Sequence, residues 1–208
     1  MNNTVSFLLL TVITLCFGVI SKNLLNTEAL FVNSLAEQLT AQQIEELFEI
    51  QKKWEWLGYA IIPLLLLLKI VIISAIIDLG CFLFNLKLKY RKIFGMVTKA
   101  EFVFLLVIVC KTLWFYFFKD NYTLEDLQYF YPLSALSMVG YEGIDAWWIY
   151  PLQTFNLFEL AYWLILGYLL GKALNKTTDK GLSIVASSYG VGLLIWVVGV
   201  MFFTLNMS

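Results

Sequence analysis

Five apolar stretches, at about residues 5–20, 56–86, 100–118, 152–171 and 182–205, leave this chain few ways to fold. Crossing the hydrocarbon core of a bilayer takes roughly 20 apolar residues per helix. In a chain of 208 residues, 61% of them hydrophobic, five such stretches leave no room for a separate soluble domain. The expected fold is all-α. It is a single integral membrane domain over residues 1–208, a polytopic bundle of five transmembrane helices with extracytoplasmic amphipathic or interfacial helices. The first stretch is the shortest and has the length of a signal peptide. It lacks a basic leading region and an A-x-A-like cleavage site, so a retained anchor is expected.

The connecting segments alternate in charge, and that alternation sets the orientation. Lys87, Lys89, Arg91, Lys92 and Lys99 lie between stretches two and three, and Lys172, Lys176 and Lys180 between four and five, opposed only by Asp179. Residues 22–55 instead carry Glu28, Glu37, Glu45, Glu46, Glu49 and Glu55 against three lysines. Residues 119–151 carry Asp120, Glu125, Asp126, Glu142 and Asp145 against Lys119 alone. Lysine and arginine accumulate on the cytoplasmic side. The expectation is a multi-pass cell-membrane protein, in a bacterial inner membrane, with the N-terminus cytoplasmic and the C-terminus extracytoplasmic. The opposite orientation would place all eight basic loop residues outside.

The residue inventory excludes several functions. There is no histidine, which removes the commonest general base and the commonest metal ligand. No HExxH and no GxSxG is present, and no pair of acids at helical spacing lies within the apolar stretches. No catalytic residue, metal site or cofactor is therefore expected, and the protein reads as a non-enzyme. A net charge of −1 argues against a nucleic-acid partner. Cys16, Cys81 and Cys110 all fall in apolar stretches and read as reduced, buried thiols.

The acidic segments carry structure of their own. Thr40 and Gln43 have the spacing of a capping box, and Ile44, Leu47, Phe48 and Gln51 follow at helical spacing into the second stretch. Such a helix lies on the membrane surface or its own bundle, or docks a partner. Thr123 to Asp126 again resembles a helix start. The segment then brings together Tyr129, Phe130, Tyr131, Trp147, Trp148 and Tyr150. Trp147, Trp148 and Tyr150 are the candidate interfacial aromatics, anchoring at headgroup level. The other reading is a lid over a cavity between helices, or a recognition patch.

Ionisable residues inside membrane spans are costly and mark candidate functional sites. Four form a candidate intramembrane polar cluster: Lys69, Asp78, Lys111 and Glu159. At 1.5 Å per residue, Lys111 stands about 18 Å from Lys99, and Glu159 about 19–20 Å from Lys172. Matched depths on sequential helices predict a Lys111–Glu159 pair. Asp78 lies close to the midplane, and Lys69 near the outer surface, where its stem can snorkel. These charges either fix helix registry or line a polar cavity for a substrate, ion or lipid headgroup. Gly167 and Gly171 form a GxxxG, and Ser188, Gly192 and Gly199 line one face of the last stretch. Small residues let helices approach closely in lipid, within one chain or across a dimer.

Residues 90–203 resemble the Yip family of five-pass membrane proteins, named for interaction with Rab-type GTPases. The likeness is clearest at Asn156-Leu157-Phe158-Glu159-Leu160, at Lys180-Gly181-Leu182, and from Ser187 to Gly192, where Tyr189-Gly190-Val191-Gly192 is similar to the family's Tyr/Gly-rich segment. The long cytosolic N-terminal arm of eukaryotic members has no counterpart here, and the outer loops are larger. The resemblance implies a bacterial member acting as a membrane-resident scaffold or accessory subunit, and carries over no catalytic residue. Two functions follow from residues and resemblance together. One is a scaffold or accessory subunit of a membrane export or trafficking assembly, with membrane lipids and other membrane proteins as partners. The other is a small transporter, channel or lipid-handling protein built on the intramembrane charges.

Overall fold

Helix α3 (Ala41–Leu83) sets the frame of the molecule. It is seen in a computed structural model that describes residues 2–36, 39–119 and 121–207. Glu37 and Asp120, counted above among the acidic loop residues, lie outside the described residues. At 1.5 Å per residue α3 is about 64 Å long, twice the hydrocarbon core. Thr40 starts it: the Gln43 amide donates to Thr40 Oγ1, and the Thr40 amide donates back to Gln43 Oε1 at 3.0 Å. Amphipathic segment and second apolar stretch are thus one continuous helix. It stops where Asn85 takes a left-handed conformation.

The remaining helices are α1 (Asn3–Leu24), α2 (Thr27–Leu35), α4 (Tyr90–Ala100), α5 (Val103–Phe118), α6 (Leu124–Tyr129), α7 (Ala135–Val139), α8 (Ala146–Thr154), α9 (Leu157–Ala173), α10 (Thr178–Val185) and α11 (Val191–Met207). A π-helical turn, Ala186–Gly190, joins α10 to α11. The one β-bridge among the described residues pairs Ser134 with Asn156. Four units are long and apolar enough to cross a membrane: α1, α3, α4 with α5, and α10 with α11. Helix α9, from the fourth apolar stretch, has 17 residues.

Two boundaries differ from the sequence reading. The third membrane unit begins at Tyr90 rather than near residue 100. Helix α4 carries Arg91, Lys92 and Lys99 on an exposed face, while Ile93, Met96, Val97 and Ala100 are buried. Interleaved charges dilute the local hydropathy and hide the buried face. The fourth stretch is divided, because Asn156 ends one helix and caps the next.

Helix α9 lies at the centre, packing against α4, α5 and α10. The core joins Leu10 of α1, Ile70 and Ile77 of α3, Val97 of α4, Tyr162, Leu166 and Leu170 of α9, and Ile184 of α10. In lipid, apolar burial alone gives helices little reason to associate, and close backbone approach matters more. The α9–α10 seam has that approach: a Cβ on Gly181 would collide with the Gly167 carbonyl, and one on Gly171 would stand 2.5 Å from the Thr177 carbonyl. A Cβ on Gly80 of α3 would lie 2.5 Å from Ser188 Cβ, and one on Gly192 3.1 Å from Ile76. Gly199 faces open space. On the acidic side, Lys22 ties three helices together, bonding Glu28 of α2 at 2.7 Å and Glu55 of α3 at 2.6 Å.

Candidate functional site

Glu159 is held by its own helix start. Its amide donates to Asn156 Oδ1 at 2.8 Å, and the Asn156 side-chain amide donates to the carbonyls of Gln153 and Thr154 at 2.9 Å. Asn156 is buried and serves both neighbouring helices, which sets the first turn of α9 firmly. Glu159 Oε1 accepts from Trp163 Nε1 one turn later at 2.9 Å and from the Tyr189 hydroxyl at 2.7 Å. The π-helical turn presents Tyr189 to it, as such turns often do for residues at sites. Gly190 leaves room for the Trp163 ring, which a Cβ there would meet at 2.5 Å. Both donors are neutral, and Glu159 Oε2 has no hydrogen bond among the described residues.

Lys69 arrives from α3. Its Nζ donates to Glu101 Oε2 at 2.9 Å and stands 4.0 Å from the centre of the Phe104 ring, a cation–π contact. Glu101 sits between α4 and α5, where the amides of Phe104 and Leu105 bond three residues back rather than four. That interruption turns Glu101 into the bundle. Its side chain is 2% exposed and the Lys69 side chain 43%. Glu101 Oε1 and the buried Tyr162 hydroxyl have no hydrogen-bond partner among the described residues.

Lys69 and Glu159 share one cleft of about 650 Å³. Leu65, Leu68 and Ile72 of α3 form one wall, and Gly192, Leu193 and Trp196 of α11 the other. Tyr131, Tyr150 and Gln153 come from the segment between α5 and α9. Trp196 Nε1 donates to the Tyr150 hydroxyl at 2.8 Å, tying α11 to α8. Leu68 is 53% exposed and Trp196 62%, so the cleft opens on the apolar outside of the bundle. Burial, reinforced by the charges of Glu159 and Glu101, pushes the Tyr131 hydroxyl up to about 12, so it stays a proton donor at any physiological pH. That hydroxyl has no hydrogen bond among the described residues.

The other expected cluster members lie elsewhere. Lys111 donates to the Leu127 carbonyl of α6, so the Lys111–Glu159 pair does not form. The helical path to Lys111 starts at Tyr90, not Lys99. That puts Lys111 about 31 Å along it, at the end where α6 covers the bundle. Asp78 lies two and a half turns beyond Lys69 on α3, half-buried, with no ion pair or hydrogen bond among the described residues. Lys69, its side chain 43% exposed, reaches in from α3 to the buried Glu101. Of the three expected interfacial aromatics, Tyr150 lines the cleft. Trp147 and Trp148 lie with ring centres 4.7 Å apart.

Sequence reasoning missed Glu101, at the start of the third apolar stretch, and the roles of Asn156, Tyr131 and Tyr189. Asn156, three residues before Glu159, carried a legible helix-cap signal. Nothing local linked Glu101 to Lys69, 32 residues away.

Fold and site together define an all-helical, multi-pass type of membrane protein with a laterally open cleft between its helices and a charged floor. Among the described residues no group of histidine, cysteine, aspartate or glutamate is placed to hold a metal. Comparison with protein-family models, curated proteins and solved structures finds no match to this chain.

Proposed function

We propose that this is a non-enzymatic, lipid-handling membrane protein that takes an amphiphile into the cleft between α3 and α11. One observation carries the reading: a cleft large enough for part of a lipid runs from the apolar exterior to a floor holding Lys69 and Glu159. Charges at that depth are costly unless they serve a partner or one another. Glu159 keeps one oxygen unspent, and Lys69 spends a single hydrogen bond on Glu101. Acyl chains lie against Leu65, Leu68 and Leu193, and the polar end of the ligand reaches the floor. In this reading α9 makes the fifth crossing, the basic loops face the cytoplasm of a bacterial cell, and the aromatic segment covers the cleft from outside.

The Yip resemblance favours a second role, as scaffold or accessory subunit in a membrane assembly. The exposed Leu133, Met138 and Val139, in the segment between α5 and α9, give such a partner an apolar contact.

Native mass spectrometry of the full chain, released from mild detergent, tests the lipid reading. One phospholipid per chain is expected, lost when Leu65→Trp with Leu68→Trp narrows the cleft mouth. A chain that never retains lipid overturns it. Impermeant maleimide labelling in a Cys16, Cys81, Cys110→Ser background tests the orientation. Ser34→Cys should label in intact cells and Lys89→Cys only after lysis, and the reverse pattern sinks it.

A further inference from the structure

We infer that the cleft selects a zwitterionic amine–phosphate headgroup, as in phosphatidylethanolamine, with the phosphate at Lys69 and the ammonium at Glu159. This rests on the cleft being a lipid site and goes further, to the chemistry of the ligand.

Lys69 and Glu159 each keep unspent bonding capacity. An ammonium has three donors, and Lys69 commits one, to Glu101. Its Nζ lies over the Phe104 ring at the cleft wall, so the remaining donors suit an anionic oxygen entering from the opening. Glu159 is the complement. Its Oε1 takes two hydrogen bonds from neutral donors and no lysine or arginine pairs with it among the described residues, while Oε2 takes none. Tyr131, Tyr150 and Tyr189 line the same cleft, and aromatic faces beside a carboxylate suit an alkylammonium. The Tyr131 hydroxyl is left for a phosphate or ester oxygen.

Other headgroups fit less well. The cleft lining holds Lys69 and Glu159, and Glu101 is buried behind Lys69, so a ligand meets one cationic and one acidic group. A purely anionic headgroup satisfies Lys69 but meets uncompensated carboxylate charge. A purely cationic one meets Lys69. An uncharged glyceride leaves Glu159 without a counter-charge in a low-dielectric site, where unpaired charge is costly. A headgroup with both signs covers both ends.

Competition in nanodiscs with the full chain tests this. The bilayer contains equal amounts of phosphatidylethanolamine and phosphatidylglycerol with identical acyl chains, and native mass spectrometry reads the retained lipid. Charge-assisted hydrogen bonds lead us to expect about tenfold enrichment of phosphatidylethanolamine. Glu159→Gln should bring the ratio close to one. Tyr131→Phe, whose lost hydroxyl has no partner in the fold, should weaken retention of both lipids without changing the ratio. A lipid retained by the wild-type chain at a ratio of one, or enriched in phosphatidylglycerol, overturns the headgroup inference and leaves the lipid reading standing. Retention of no lipid at all overturns both. The wild-type competition decides the matter even if Glu159→Gln does not fold.

Discussion

Helices α3 and α11 meet at one end of their shared seam and part at the other. At the closed end Gly80 faces Ser188 of the π-helical turn, where an added Cβ would lie 2.5 Å from Ser188 Cβ, and Gly192 beside Ile76 marks where the cleft begins. At the open end Leu65 and Leu68 face Leu193 and Trp196 across the cleft. Both ends are apolar, so hydrophobicity does not separate them. Side-chain size does: where lipid removes the hydrophobic drive for helix association, backbones close only where small residues permit it. The open end then holds the charged groups that the closed end has no room for.

The comparison breaks first at the charged floor. Lys69→Met leaves Glu101, 2% exposed, without its cation, and should cost about 3 kcal/mol of stability in a detergent melt followed by tryptophan fluorescence. Adding Glu101→Leu should recover most of it. A double variant no better than the single one would mean that the pair is not the source of the loss.

The closed regions come next. Gly181→Ala forces α10 off α9 and should lower stability by about 1–3 kcal/mol. Gly199→Ala, into open space, should be neutral or gain up to about 1 kcal/mol from helix propensity. Equal effects at the two sites would remove close packing as the explanation.

The smallest effect is expected outside the membrane units. Burial pushes the Asp126 carboxyl up, but hydrogen bonds from Lys119 at 2.8 Å and from the Thr123 amide outweigh it and hold the group below its ordinary value. A carboxyl lowered on folding stabilises above its unfolded pKa, near 3.9, and that contribution disappears as pH falls through the folded value. Hydrogen exchange over residues 121–131 should therefore quicken, relative to an unfolded reference peptide, when pH drops from 6 to 3. With Lys119→Met the acid effect should shrink. The pair is part-exposed, so at most about 1 kcal/mol is involved. Exchange that ignores pH would free the α6 cap from this pair.

Much of the architecture was legible because it follows from short-range rules. Long apolar runs mark the membrane helices, Thr40 with Gln43 marks the start of α3, and Gly167 with Gly171 marks a close-packing face. The boundaries of α4 were not legible, since an amphipathic buried helix with lysines on one face resembles a basic loop to any hydropathy window. Nor was the charge pairing. Depth counting assumed that Lys99 marks the membrane edge. The added turns of α4 and the break at Glu101 carry Lys111 to the end of the bundle, and bring Glu101 to the place where Lys69 arrives.

The sequence by itself determined the material of this protein: helices, their apolar lengths, the small residues along them, and which charges must be accommodated among them. These depend on residue type and on neighbours within one or two turns. The tertiary structure alone decided which charges meet and where the bundle opens. Lys69 with Glu101 and Glu159 with Tyr189 join helices far apart in the chain, and a cleft exists only where two such helices fail to close. Local composition encodes neither, because both depend on how much backbone lies between each residue and the point where its helix turns.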